Sequence, residues 1–160
     1  MLRRYVPVIR RRLGVVVLGL AVGILSAGVA HAQDAPKANP YVFASDGALL
    51  LNFIKADKTA DYEEIVAKLK EALQKSENPE RKQQADSWKV FKAAEAGAGG
   101  AVIYVSVIYP AVKGADYTVS TILAEAFPAE AQDLYKKYAE AFGTPSGNLL
   151  NLTLLSDLSK

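Results

Sequence analysis

The chain has 160 residues, with 19 basic and 17 acidic side chains, a single histidine and no cysteine. A chain without cysteine can form neither a disulfide nor a thiolate metal site. The histidine is His31, and the residues after it offer no imidazole for a catalytic triad, for zinc or for haem iron. We therefore predict no cofactor and no metal site, and a non-catalytic role is favoured over an enzymatic one.

The first 32 residues are typical of a cleavable export signal. Residues 1–14 carry five arginines and no acid, and an apolar run extends from Leu13 to about Ala30. Ala30-His31-Ala32 then supplies small residues at the −3 and −1 positions of a cleavage site. The alternative is an uncleaved membrane anchor, but glycines, among them Gly14, Gly19 and Gly23, interrupt the apolar run. We expect cleavage after Ala32, a periplasmic or secreted product, and no stable membrane anchoring afterwards.

Removal of this segment reverses the charge balance. Its arginines are lost while every acid is kept, and acidic residues then outnumber basic ones in residues 33–160. No basic stripe remains along that part of the chain. Nucleic-acid binding therefore loses its compositional support.

The first half of the remaining chain begins with a polar, proline-bearing stretch, residues 33–46, which predicts a linker. The apolar run Gly47–Lys55 predicts a strand at the start of a single domain, residues 47–160. Apolar residues at helical spacing then predict a helix that begins near Asp61 and ends at Asn78-Pro79. The pair Arg81-Lys82 that follows is interpreted as part of an exposed loop.

The second half predicts three more strands and a two-piece helix. Alternating residues in Ser87–Ala93, a glycine-rich turn at residues 97–100 and the β-branched segment Ala101–Tyr109 predict a hairpin. The helix is predicted in two pieces around Pro128, and a final strand follows it. Their predicted bounds are Tyr117–Phe127, Ala129–Phe142 and Asn148–Leu155.

The resulting order, β-α-β-β-α-β, predicts a ferredoxin-like α+β fold. In this fold right-handed crossovers place the first and third strands at the centre of a four-stranded antiparallel sheet. Both helices then cover the same face of the sheet. The question that remains is which side chains lie on the other face.

Alternation along each strand separates one purely apolar set of side chains from one mixed set. We expect the purely apolar set to meet the helices, so that Val105→Asp would unfold the domain. The mixed set would form the second face, and Ser106→Asp would mainly break a dimer. Because the mixed set has no charged residue, this second face requires a cover, which is a second copy, a ligand or both. The apolar set is Leu49, Leu51, Phe53, Ile103, Val105, Val107, Leu150, Leu152 and Leu154, and the polar members of the mixed set are Asn52, Tyr104, Ser106, Asn151 and Thr153.

The element order and the semi-apolar second face resemble those of the dimeric α/β-barrel superfamily, which includes antibiotic-biosynthesis-monooxygenase-like domains. The resemblance covers about residues 47–155 and implies a homodimer with sheet packed on sheet. Members include cofactor-independent oxygenases, haem-degrading enzymes, isomerases and proteins of no known activity. Asn52 and Trp88 match two residues of the haem-degrading branch, but no histidine remains after cleavage to bind iron.

Five side chains are candidate ligand-binding residues: Asn52, Trp88, Tyr104, Ser106 and Asn151. They would line a cavity between two sheets and orient a small, fairly apolar ligand. The alternative is that they satisfy one another across a dimer interface or serve as core anchors. The favoured function is a homodimeric binding or interaction module. The alternatives are a cofactor-independent oxygenase or isomerase that uses the first four residues, and a structural partner of another exported protein.

Overall fold

The computed structural model describes residues 38–159. The predicted signal peptide and its cleavage site lie outside the described residues, as does most of the polar part of the predicted linker. Within residues 38–159, no helix combines the length and the apolar character needed to cross a membrane.

The predicted α+β fold is confirmed. The four strands form one antiparallel sheet in the order β2-β3-β1-β4, so that the first and third strands are central. Short 3₁₀ turns follow β1 and join β2 to β3. The elements are β1 (Gly47–Ile54), α1 (Thr59–Lys75), α2 (Pro79–Ser87), β2 (Trp88–Ala96), β3 (Val102–Ile108), α3 (Val119–Ala126), α4 (Ala131–Ala141) and β4 (Phe142–Leu152).

The core lies between the helices and one face of the sheet. Ile65 and Leu69 on α1 pack with Ile122 on α3 and Leu134 on α4. Beneath the helices, aliphatic and aromatic residues of β1 and β3 are buried in two further clusters. The opposite face of the sheet is covered by no element of residues 38–159. The amphipathic pattern that predicts α1 also explains its position, since its apolar stripe has only this layer to pack against.

Helix α2 stands where the sequence pattern predicts an exposed loop. Its first turn is stabilised by the Oδ1 of Asn78, which accepts a hydrogen bond from the backbone N–H of Glu80 at 2.9 Å, and by Pro79 at the first helical position. The segment has no apolar periodicity, because its buried positions are occupied by Arg81, Gln84 and Ser87. The expectation that Arg81 is exposed is wrong, since the residue is only 6% exposed.

Part of the predicted linker contributes to the core. Phe43 is buried and its ring lies 5.1 Å from the ring of Tyr117. The Tyr117 backbone N–H donates to the carbonyl of Tyr41 at 2.9 Å, and Val42 forms a β-bridge with Asp116. The folded unit therefore begins before Gly47.

Candidate functional site

The structure reverses the expected assignment of the two sheet faces. Leu50, Tyr104 and Ser106, from the mixed set, are 8%, 3% and 3% exposed and lie under the helices. Val105, from the purely apolar set, is opposite Leu51 on β1 and Phe91 on β2, on the face that the helices leave uncovered. The expectation that the purely apolar set meets the helices is therefore wrong.

Hydrogen bonds with helix α1 explain why polar side chains of the strands can lie on the buried face of the sheet. The Nδ2 of Asn52 donates to the hydroxyl of Tyr62 at 3.0 Å, and the hydroxyl of Tyr104 donates to Oε1 of Glu63 at 2.6 Å. Buried polar groups are tolerated when they have hydrogen-bond partners. Residues from one helix thus satisfy two of the polar strand side chains that the pattern predicts on the opposite face.

The uncovered side is called here the open sheet face. Its centre is formed by aliphatic and aromatic side chains of the two central strands, and the two outer strands add further apolar side chains. Phe91 and Leu150 are 52% and 50% exposed. The outer strands also place polar residues on this face, namely Lys89 on β2 and Asn148 on β4. The apolar members are Leu49, Leu51, Phe53, Phe91, Ile103, Val105, Val107, Leu150 and Leu152.

The structure brings three of the five predicted ligand-binding residues together. Asn52, Trp88 and Ser106 line one cavity of about 20 Å³ between the sheet and the helices. A cavity of this size holds about one water molecule. These three side chains thus meet inside one protomer, and they do not face a space between two sheets.

The other two predicted residues lie apart from this cavity. The Tyr104 hydroxyl is engaged by Glu63, which also pairs with Lys92 at 2.9 Å. Asn151 is exposed on β4, where its Oδ1 accepts from the hydroxyl of Ser45 at 3.5 Å. It lies four residues from the position that pairs with Asn52, a separation of roughly 13 Å along the strand. We find no common site for all five residues.

A cluster of aromatic rings closes one end of the core. The Tyr62 ring lies 4.6 Å from that of Tyr104 and 6.1 Å from that of Phe142, and Tyr138 lies 4.9 Å from Phe142. Burial raises the pKa of Tyr62 to about 12, although the hydrogen bond from Asn52 opposes the shift. Burial also raises the pKa of Tyr138. Both phenols therefore remain protonated in the folded protein well above the ordinary tyrosine pKa.

We expect the free energy of unfolding to fall as the pH rises from about 10 to about 12. In the unfolded chain Tyr62 loses its proton near pH 10, whereas the folded chain retains it to about pH 12. The stability linked to this proton is present below pH 10 and is lost at higher pH, by an amount on the order of 2–3 kcal/mol. Urea unfolding at pH 8 to 11.5, with phenolate absorbance recorded at 295 nm, measures it. Tyr62→Phe is the control and should make the decline shallower, while Tyr138 still contributes to it; an unchanged decline would contradict the assignment.

A buried arginine network joins α2 to α3. The Arg81 guanidinium makes two hydrogen bonds to the Glu125 carboxylate, at 2.9 and 3.1 Å, and one to Oε1 of Gln84 at 2.8 Å. It also donates to the backbone carbonyl of Asp116, which accepts a second hydrogen bond from Gln84. This arrangement is structural, because the buried guanidinium is held by a carboxylate, a buried amide and a backbone carbonyl of the fold itself. A sequence pattern based on hydrophobicity has no signal for it.

We expect Arg81→Met to lower the free energy of unfolding by about 3 kcal/mol. The substitution retains the length of the side chain but leaves the buried Gln84 and the Asp116 carbonyl without their charged donor. Lys82→Met is the matched control, since Lys82 is the exposed neighbour on the same helix and should change stability by less than about 0.5 kcal/mol. Urea denaturation of both variants measures the difference. Equal effects would show that the network contributes nothing.

Glu63 and Tyr104, which share a hydrogen bond, have pKa values shifted away from the range that suits proton transfer near neutral pH. Residues 38–159 contain neither histidine nor cysteine, and this part of the chain has no group of three acidic side chains placed to hold a metal ion. General acid–base catalysis favours a group whose pKa is close to the working pH. Hydrogen bonds from Tyr104 and Lys92 lower the pKa of Glu63, while burial raises that of Tyr104. Both shifts move the pKa values of Glu63 and Tyr104 away from neutral pH.

Comparisons with known protein families, with curated proteins and with solved structures found no match. The resemblance to the dimeric α/β-barrel superfamily stays a prediction.

Proposed function

We propose that this protein is an exported, non-catalytic homodimeric module in which the open sheet face packs against the same face of a second copy. The observation that carries the proposal is that all four strands contribute apolar side chains to a face that no helix of residues 38–159 covers. In water such a face is costly, because apolar surface is stabilised by burial in proportion to its area.

The size of the open sheet face fits a protein partner better than a small molecule. Four strands, each in register over about seven residues, span roughly 450 Å² in projection at the usual strand spacing and rise. Side-chain relief makes the accessible area larger, and a stable interface buries about 800 Å² on each partner. A small ligand would leave most of the face in contact with water.

A second copy is the partner that this face fits. Two antiparallel sheets pack face to face about 10 Å apart with interdigitating side chains, and a two-fold dimer uses the same patch twice. The apolar centre on β1 and β3, with Lys89 and Asn148 on the outer strands, follows the core and rim organisation of protein interfaces. The resemblance to the dimeric α/β-barrel superfamily supports the same arrangement.

The enzymatic alternative lacks this kind of support. It requires Asn52, Trp88, Tyr104 and Ser106 to line a space between two sheets, whereas these residues lie on the side of the helices. The third alternative, a different exported protein on the open sheet face, is an outcome of the test below.

Native mass spectrometry of the protein isolated from the periplasm tests the proposal. We expect twice the subunit mass under gentle conditions and the subunit mass after collisional activation, and the subunit mass also reports whether residues 1–32 have been removed. A monomer at micromolar concentration, or a complex whose second component has a different mass, would overturn the homodimer.

A further inference from the structure

Residues 153–158, which follow β4, carry three exposed leucines and are called here the leucine arm. Leu154, Leu155 and Leu158 are 50%, 98% and 95% exposed. The side chains of Leu155 and Leu158 therefore pack against no part of residues 38–159, although leucine is among the residues that burial stabilises most. The leucine arm thus presents apolar surface for which the described part of the protomer offers no cover.

Hydrogen bonds fix the start of the leucine arm to the protein. The backbone N–H of Leu154 donates to Oδ2 of Asp46 at 3.1 Å, and Oδ1 of the same carboxylate accepts from Nζ of Lys113 at 2.9 Å. Oδ1 of Asp157 accepts from the backbone N–H and from the hydroxyl of Ser159, at 3.0 and 2.6 Å, which closes a local turn. Because the arm already has a fixed origin and local structure, burying its leucines costs less ordering entropy than burying those of a free tail.

The leucine arm continues the apolar side chains of the open sheet face. Leu150 and Leu152 belong to that face on β4, and Leu152 pairs with Gly47 at the first position of β1. The arm begins at the next residue, where the outer strand ends. In a two-fold packing of aligned sheets, an outer strand lies over an outer strand of the second copy. The arm that extends β4 therefore leaves the sheet beside that copy.

We propose that the leucine arm packs against the rim of the second copy's open sheet face, with Leu155 and Leu158 as its contacts. This inference rests on the proposed homodimer and extends its interface beyond the sheet. The open sheet face spans roughly 450 Å² in projection, whereas a stable interface buries about 800 Å² on each partner. The arm adds apolar area at the place where the sheet ends, and the two-fold axis repeats that gain on both copies.

A membrane surface is the other apolar environment that exposed leucines could enter. Segments that lie on membranes combine apolar residues with lysine and arginine, because these side chains attract anionic lipids. The leucine arm carries Asp157 and no basic residue. A second copy is therefore the favoured partner, and membrane binding is an outcome of the test.

The test replaces both leucines, as Leu155→Ala with Leu158→Ala, in the chain as the cell produces it. We expect the dissociation constant of the dimer to rise by roughly a hundredfold, because each lost apolar contact counts twice in a two-fold interface. Sedimentation velocity across a concentration series measures the change. Ser156→Ala is the matched control, since Ser156 is exposed between the two leucines and should change the dissociation constant by less than about twofold.

An isotope-filtered nuclear Overhauser experiment on mixed carbon-13-labelled and unlabelled protein separates this inference from the homodimer itself. We expect contacts between copies from the methyl groups of Leu155 and Leu158 as well as from those of Val105. Contacts from Val105 with none from the two leucines would overturn the role of the arm and leave the homodimer standing. A spectrum without any contact between copies would overturn both proposals.

Two further results would assign the leucines to another surface and overturn the inference. In a monomeric Val105→Asp background, replacing both leucines by alanine should leave the urea midpoint unchanged, and a lower midpoint would show that the arm packs on its own copy. Vesicles of phosphatidylethanolamine and phosphatidylglycerol test the membrane. Binding to them that is lost on replacing both leucines, together with an unchanged dissociation constant of the dimer, would make the arm a membrane contact.

Discussion

Val105→Asp is expected to convert the proposed dimer into a folded monomer. Val105 lies at the centre of the open sheet face, between Leu51 and Phe91. A two-fold interface carries the substitution twice, so two carboxylates would be buried without partners, at a cost of about 4 kcal/mol or more. The dissociation constant of the dimer should therefore rise by at least roughly a thousandfold. Sedimentation velocity across a concentration series measures this change.

The fold itself should survive this substitution, because the Val105 side chain points away from the helices. In the monomer the cost is limited to strand propensity, about 1 kcal/mol. Circular dichroism should therefore show the wild-type spectrum. Val105→Thr, nearly equal in shape and uncharged, is the control and should remain dimeric at micromolar concentration. If Val105→Asp unfolds the chain while Val105→Thr does not, the assignment of this face is wrong.

Ser106→Asp is expected to unfold the protein. Ser106 is 3% exposed, and it lines the cavity of about 20 Å³ beside Leu50 and Val90. That volume admits about one water molecule, whereas aspartate adds a larger group with a charge that has no buried cation to pair with. We expect a loss of at least ~4 kcal/mol, which is comparable with the whole stability of a small domain.

Ser106→Ala is the matched control, since it leaves the packing in place and introduces no charge. It should lower the free energy of unfolding by less than about 1.5 kcal/mol. Urea denaturation followed by circular dichroism compares the two variants with the wild type. A Ser106→Asp protein that is folded and merely monomeric would contradict the observed face assignment and support the one predicted from the sequence.

The order of elements could be predicted from the sequence because it depends on short-range patterns. Helical spacing marks α1, the β-branched run marks β3, and the glycine-rich turn joins β2 to β3. The right-handedness of crossover connections and the alternation of the strands then leave few ways to connect the elements. The predicted order of strands in the sheet is the observed one.

The sheet faces could not be assigned from hydrophobicity alone. The rule that the more apolar set is buried fails here because Tyr62 and Glu63 on α1 hydrogen-bond with polar strand residues, and a hydrophobicity pattern does not reveal such partners. Strand β2 does carry a usable signal. Its alternation places Lys89 on one face of the sheet and Trp88 and Val90 on the other. The pairing register of the hairpin then assigns each side chain of β3 to the same face as its partner on β2.

Helix α2 and its arginine were missed for a different reason. Arg81 is buried through its hydrogen bonds with Glu125, Gln84 and the Asp116 carbonyl, so no apolar period marks the helix. Asn78 and Pro79 form the N-terminal cap of α2, whereas the sequence pattern predicts only the end of the preceding helix at these residues. Three of the predicted ligand-binding residues, Asn52, Trp88 and Ser106, meet because they lie on one face of three neighbouring strands. The strand order, together with the alternation of side chains along each strand, specifies that common face.

The most direct test of the homodimer is an isotope-filtered nuclear Overhauser experiment on a mixture of carbon-13-labelled and unlabelled protein. Such a mixture reports only contacts between different copies of the chain. We predict contacts between copies from the methyl groups of Leu51, Val105 and Leu150, and none from the buried methyl groups of Ile65 and Leu134 beneath the helices. A spectrum without contacts between copies, or with such contacts confined to helix residues, would contradict the proposed packing of sheet against sheet.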